Sequence, residues 1–159
     1  YEKDLIDIAK ELIKTSEEHK CEIVLPTDVI TALKLEENQK VHNLSIKHVS
    51  HNHMILDIGT KSISSIKNIL KKANTLLWNG PMGAFEINPF EKGTVSLAKF
   101  IAKRTMQNSL VSIAGGGDTL SALNLARVSD NITFKSTGGG AFLEMLEGKT
   151  LPGLEVLKL

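Results

Sequence analysis

Ser109-Leu110-Val111-Ser112-Ile113-Ala114-Gly115-Gly116-Gly117-Asp118-Thr119-Leu120-Ser121-Ala122-Leu123 is the stretch whose reading decides the architecture. Residues 109–114 form an apolar run of strand length. Three glycines follow, and behind them Leu120 and Leu123 recur at helical spacing. A strand that enters a helix through so short a turn reads as one half of a βαβ unit, and a parallel neighbour needs such a crossover.

The same order recurs on both sides. Downstream, residues 132–134 read as a strand, Gly138 to Gly140 as a second glycine turn, and Phe142, Met145 and Leu146 as a helix that Gly148 stops and Pro152 keeps from resuming. Upstream, residues 75–78 read as a strand, and Thr94 as the cap of a helix using Leu97, Phe100 and Ile101. Ile63, Ile66, Ile69, Leu70 and Ala73 mark a further helix with Thr60 as its N-cap. Residues 4–19 place Leu5, Ile8, Ala9, Leu12 and Ile13 on one side of a helix packed by that side. Residues 21–25 and 53–58 read as buried strands, stopped by Pro26 and Gly59. Between them, residues 31–52 are polar and irregular, a surface excursion with a weak strand around 41–49. The expected fold is therefore α/β, a Rossmann-like three-layer parallel sheet with helices on both faces. Ligands bind such sheets at the carboxyl ends of the strands.

Composition bounds the function. With 159 residues, 42% hydrophobic and 23% charged, the chain can bury one core, so residues 1–159 are read as one domain. A net charge of +1 supplies no field that would gather nucleic acid or an anionic membrane. Cys21 is the single cysteine, which excludes an internal disulfide and fits a cytoplasmic setting; its place before an apolar run predicts a buried thiol. No apolar stretch approaches the ~20 residues of a membrane span. The chain opens on Tyr1 and runs almost at once into a helix, which leads to the expectation of a chain trimmed upstream.

The chemistry is carried by turns. Four strands run into unusual ones: Leu25-Pro26-Thr27-Asp28, Trp78-Asn79-Gly80-Pro81-Met82-Gly83-Ala84-Phe85-Glu86, Gly115-Gly116-Gly117-Asp118-Thr119 and Ser136-Thr137-Gly138-Gly139-Gly140-Ala141. Three glycines before a helix strip away side chains, bare backbone N–H groups and set the positive end of the helix dipole at the opening, which suits phosphate. One such turn is more often a tight loop, but two in equivalent positions favour an anion site. Neither matches the Walker pattern ending in Gly-Lys-Ser/Thr or the G-x-G-x-x-G fingerprint. Asp118 is open to two readings, a first-turn acid or a carboxylate that reaches a polyphosphate through Mg2+. Glu86 is open to two as well, a ribose acceptor or a surface acid.

Taken in order and spacing, the segments 78–86, 115–119 and 136–141, with Leu143-Glu144, Leu146-Glu147-Gly148-Lys149 and Leu151-Pro152-Gly153, resemble the phosphoglycerate kinase family. Leu25-Pro26-x-Asp28 and Leu56-Asp57-Ile58-Gly59 add two matches, so the resemblance covers nearly the whole chain. It implies the C-terminal, nucleotide-binding part of a two-lobe kinase of glycolysis that moves a phosphoryl group between 1,3-bisphosphoglycerate and ADP. By resemblance, Asn79, Gly80, Pro81, Ala84 and Glu86 belong to the ADP/ATP pocket, with Glu86 on the ribose. Gly116, Gly117, Asp118 and Thr119 would surround the phosphates, Asp118 would be the acid near Mg2+, and Gly138, Gly139 and Gly140 would face the phosphoryl group in transfer. Ala84 stands where the family usually has Val, Thr60 where it has Pro, and Lys135 where an apolar residue is common.

The family's N-terminal lobe, with its basic patch for phosphoglycerate, and the Gly-x-Ala-Lys segment are not in this sequence. Arg104 and Arg127, the only arginines, read as helical residues away from the turns. The expectation is a chain that binds Mg-nucleotide at most, reaches phosphoglycerate only through the lobe it lacks, and self-associates through an uncovered sheet although the parent is a monomer. The alternatives are a non-catalytic nucleotide-binding module, or a metal pair of His51 and His53 within the cluster His42, His48, His51 and His53. Surface histidines are the plainer reading of that cluster.

Overall fold

The computed structural model describes residues 2–157. Its strands fall into two sheets of three. β4 (Thr75–Asn79), β5 (Val111–Gly115) and β6 (Phe134–Ser136) form a parallel sheet in the order β4-β5-β6. Helix α3 (Lys92–Met106) lies between β4 and β5 in sequence, and α4 (Gly117–Leu125) between β5 and β6. The register pairs Asn79 with Gly115 and Gly115 with Ser136, so the three carboxyl ends finish flush. Both β5 and β6 start two residues later than the sequence reading placed them. Ile132 is spent as a buried core residue, and Ser109 is held in a turn by the Arg104 side chain.

One face of this sheet carries the main core. Trp78 and Ala114 pack there with Leu70 of α2 (Thr60–Leu70), Leu97, Ala98 and Ile101 of α3, and Leu123 of α4. Each large side chain removed from water here contributes roughly 1.5–3 kcal/mol. The opposite face is barely covered. Leu77, Ile113 and Phe134 form one cross-strand row on it, and Leu77, Val111 and Phe134 remain 41, 48 and 58% exposed. Helix α5 (Gly139–Leu146) reaches this face at its carboxyl end, where Phe142 abuts Gly115. Helices thus flank both sides of the parallel sheet, but unequally.

The second sheet departs from expectation. β1 (Asp28–Ala32), β2 (His42–Ser45) and β3 (Met54–Ile58) are antiparallel in the order β2-β1-β3, so β3 does not join the parallel sheet. Residues 21–25 form no strand, and Ile23, Val24 and Leu25 are exposed; the strand of this region is the segment 28–32 that follows. Cys21 is exposed, not buried. Helix α1 (Ile6–Glu18) forms as its periodicity predicts, yet none of its residues is buried. Its apolar side finds no packing partner deep enough to cover it.

Helix ends also differ. The N-cap of α2 is Gly59 rather than Thr60, and the side chain that satisfies its first amides comes from β1. The Asp28 carboxylate accepts from Lys61 N–H at 3.0 Å and Ser62 N–H at 2.7 Å, and the Ser62 hydroxyl donates to it at 2.6 Å. Burial pushes the Asp28 pKa up, but the bonds from Ser62, Lys61 and Asn43 outweigh it and hold the carboxyl below its ordinary value. A Cβ on Gly59 would stand 2.2 Å from Asp28 Cγ, so only glycine allows this approach. At the other end of the chain Gly148, at φ +78°, closes α5 as expected. Pro152 does not merely block a helix: it opens the short α6 (Pro152–Glu155), where its missing N–H costs nothing. Among the described residues no helix is long and apolar enough to cross a membrane.

Candidate functional site

The two glycine turns meet at one place. β5 delivers Gly115 and Gly116 beside the end of β6, and α5 starts so close that a Cβ on Gly139 would fall 2.7 Å from Gly116 Cα and 3.0 Å from Gly116 N. Gly116 itself has φ +93°, a conformation glycine adopts without strain. The amino end of α4, nine residues long, and that of α5, eight residues long, therefore open side by side above the flush strand ends. Unpaired first-turn amides and two helix dipoles point toward the same space.

The third strand closes this space. Asn79 Oδ1 lies 3.0 Å from where a Gly116 Cβ would stand, and Gly80 N–H donates to Thr119 Oγ1 at 2.7 Å. Asn79, Gly80, Gly116, Gly117, Asp118 and Thr119 line one open depression of about 210 Å³. Thr119 is buried, and its hydroxyl braces the 79–86 turn. Asp118 is exposed in the first turn of α4. Around Gly138 and Gly140 a Cβ would meet nothing within 4 Å, so both border open space.

The remaining expected residues lie elsewhere on the same turn. Pro81 and Ala84 line a second depression, of about 390 Å³, against Val29, Leu56 and Ile58 of the antiparallel sheet. The two depressions share no lining residue. Glu86 is exposed beyond Phe85, which is buried. The turn between them is held by its backbone: Trp78 Nε1–H donates to Gly80 O at 2.6 Å, Met82 N–H to Thr94 Oγ1 at 3.0 Å, and Ala84 N–H to Leu56 O at 2.9 Å. Thr94 is thus a wholly buried brace in the first turn of α3, two residues inside it, and not its cap.

Sequence reasoning assigned no role to Asp57, which sits behind this turn at 2% exposure. Its carboxylate accepts from Gly93 N–H at 2.6 Å and from Ile58 N–H at 2.8 Å. A Cβ at Gly83 or Gly93 would lie 2.6 or 2.3 Å from Asp57 Oδ1, so two glycines make room for it. Burial raises its pKa to about 6 despite those bonds, and the charge of Glu91 adds to the rise. The signal for it was in the matched Leu56-Asp57-Ile58-Gly59 segment, an acid inside an apolar strand.

The arginines take no part. Arg104 donates to the carbonyls of Leu70, Ala73 and Ser109, tying α2 and α3 together below the sheet's other end. Arg127 lies just past α4 at φ +58°, outside a helix and exposed. His53 is not paired with His51, which lies in the turn ahead of β3; its ring meets His42 edge to face, centroids 5.7 Å apart. Among the described residues no three His, Cys, Asp or Glu side chains are grouped to hold a metal ion.

The phosphoglycerate kinase family model matches residues 1–149. A phosphoglycerate kinase of Chelativorans sp. is 48% identical over 157 residues, which are 99% of this chain and 39% of that protein. The one from Sinorhizobium medicae is 49% identical with the same coverage. Among solved structures, phosphoglycerate kinase from Coxiella burnetii aligns with a TM-score of 0.91 at 40% identity, over 98% of this chain and 39% of its own. That from Pyrococcus horikoshii aligns with a TM-score of 0.78 at 31% identity, over 98% and 37%. The chain therefore spans about two fifths of the length of these relatives.

Proposed function

The chain belongs to the phosphoglycerate kinase family, and from that premise we propose that it supplies the Mg-nucleotide half of the transfer between ADP and the acyl phosphate of 1,3-bisphosphoglycerate. The observation that carries this reading is the backbone contact of Gly139 with Gly116, which sets two helix amino ends around one space. A diphosphate or triphosphate tail fits there, with N–H groups of the 116–119 and 138–140 turns as donors. Asn79 and Gly80 complete its wall. Pro81 and Ala84 would contact the nucleoside, and Glu86, exposed and unpaired, would accept from the ribose hydroxyls.

A single carboxylate suits Mg2+, which keeps several waters and takes its other ligands from phosphate oxygens. Asp118, at the rim of the glycine turns, is the residue that would hold it, and the ion would screen phosphate charge. The protein's own part is positioning: the two turns fix the phosphate chain, and their amides stay pointed at the oxygens where charge gathers. Gly138, Gly139 and Gly140 would face the phosphoryl group itself.

Arg104 is committed to backbone carbonyls, so it supplies no cation to a phosphoglycerate. We therefore assign to this chain alone nucleotide binding without turnover, in a cytoplasmic setting. Calorimetry with ADP at saturating Mg2+ tests the first half, with Asp118→Asn expected to weaken binding and to reduce its dependence on Mg2+. A coupled assay with 3-phosphoglycerate and ATP tests the second. Measurable turnover by this chain alone would refute it, and the absence of any ADP binding would refute the site.

A further inference from the structure

We propose that Asp57 is a positioning residue for the 79–86 turn, acting through the start of α3; this rests on the nucleotide reading only for what that turn would hold. The path is continuous. Asp57 Oδ2 accepts from Gly93 N–H at 2.6 Å. The next residue, Thr94, accepts from Met82 N–H at 3.0 Å through its hydroxyl. Gly83 packs directly on the carboxylate, and Ala84 N–H donates to the carbonyl of Leu56, the residue before Asp57. The turn thus rests on β3 and α3 at three consecutive residues, and Asp57 touches both supports.

Asp57 is chemically able to change this arrangement. An ionised carboxylate offers acceptors to Gly93 and Ile58 together, whereas a protonated one carries a hydroxyl that must turn away from one of those N–H groups. Around it, Asp28 on β1 is directed to the amino end of α2, and Lys92 and Glu86 are exposed. Glu91, ahead of α3, is the charged group that acts on it, and Glu91 Oε2 is buried without a partner. Burial above all, with the Glu91 charge added to it, disfavours the ionised form of Asp57 and raises its pKa to about 6, within reach of ordinary conditions.

The chain carries its own reporter. Trp78 is the single tryptophan, and its indole N–H donates to Gly80 O inside the turn. Trp78 emission should show a transition near pH 6, absent from Asp57→Asn and reduced in Thr94→Val, whose side chain cannot accept from Met82. Asp57→Asn should also weaken Mg-ADP binding roughly tenfold at neutral pH, the order of one lost charged hydrogen bond. An emission profile without a transition, or one whose transition persists in Asp57→Asn and so belongs to a histidine, overturns the proposal. Should no variant bind Mg-ADP while the emission result holds, the nucleotide reading falls and Asp57 keeps its role.

Discussion

Gly139 stands too close to Gly116 to carry a side chain, since a Cβ on it would lie 2.7 Å from Gly116 Cα. Backbone cannot yield as a flexible side-chain tip can. Gly139→Ala should therefore force the turns apart, costing on the order of 1–3 kcal/mol of stability and most of the Mg-ADP affinity. Gly153→Ala is the control, because it lies on α6 outside the turns and nothing lies within 4 Å of its Cβ. Thermal melts and calorimetry on the pair should separate strongly; equal behaviour would mean the turns are not in contact.

The two buried aspartates should give opposite acid responses. Asp28 is held below its ordinary pKa, so its contribution to stability is present above the unfolded value near 4 and is lost as pH falls through the lower folded value. Asp57 is raised to about 6, so the folded form holds its proton longer. Its contribution is full below about pH 4 and is lost as pH rises to 6, up to roughly 3 kcal/mol. Urea unfolding between pH 4 and 7 should show that loss in the parent chain and not in Asp57→Asn.

Ser62 links Asp28 to α2 from both sides. Its hydroxyl donates to the carboxylate and accepts from the Thr27 and Asp28 amides. Ser62→Ala leaves those buried groups short of partners and should cost about 1–3 kcal/mol by denaturant unfolding, with Mg-ADP affinity unchanged.

The open sheet face should make the chain associate. Leu77, Val111 and Phe134 form an apolar patch that water meets directly. Size-exclusion light scattering should find a mass that rises with concentration, and Val111→Lys with Phe134→Lys should restore a monomer. A parent chain that stays monomeric at high concentration would contradict this.

Arg104 should prove structural. Arg104→Ala strips the donor from the Leu70, Ala73 and Ser109 carbonyls, a loss of about 1–3 kcal/mol. Binding of Mg-ADP should be unaffected.

Elements whose signal is local were legible in advance. β4, β5, α3 and α4 combine an apolar period with glycine punctuation, and the structure moves their bounds by only a few residues. The glycine turns were equally plain, because three adjacent glycines restrict what a chain segment can be for. The segment 28–32 was not legible, since Asp28-Val29-Ile30-Thr31-Ala32 has no clean alternation and becomes a strand by pairing with β2 on one side and β3 on the other. Residues 21–25 show the converse: a strand-like composition forms nothing when no partner edge lies beside it.

Thr94 and Asp57 mark the same boundary. As residue types they read as a helix cap and an acid in an apolar run. Their roles depend on Met82 and Gly93, 12 and 36 residues away along the chain. The sequence by itself determined the family, the βα order and the composition of the glycine turns, because these follow from neighbours along the chain. Only the tertiary structure decided that the turns share one space, that β3 leaves the parallel sheet and that a buried carboxylate lies behind the 79–86 turn. Contacts between distant residues arise when strands choose partners and apolar faces are buried, and no local pattern encodes that choice.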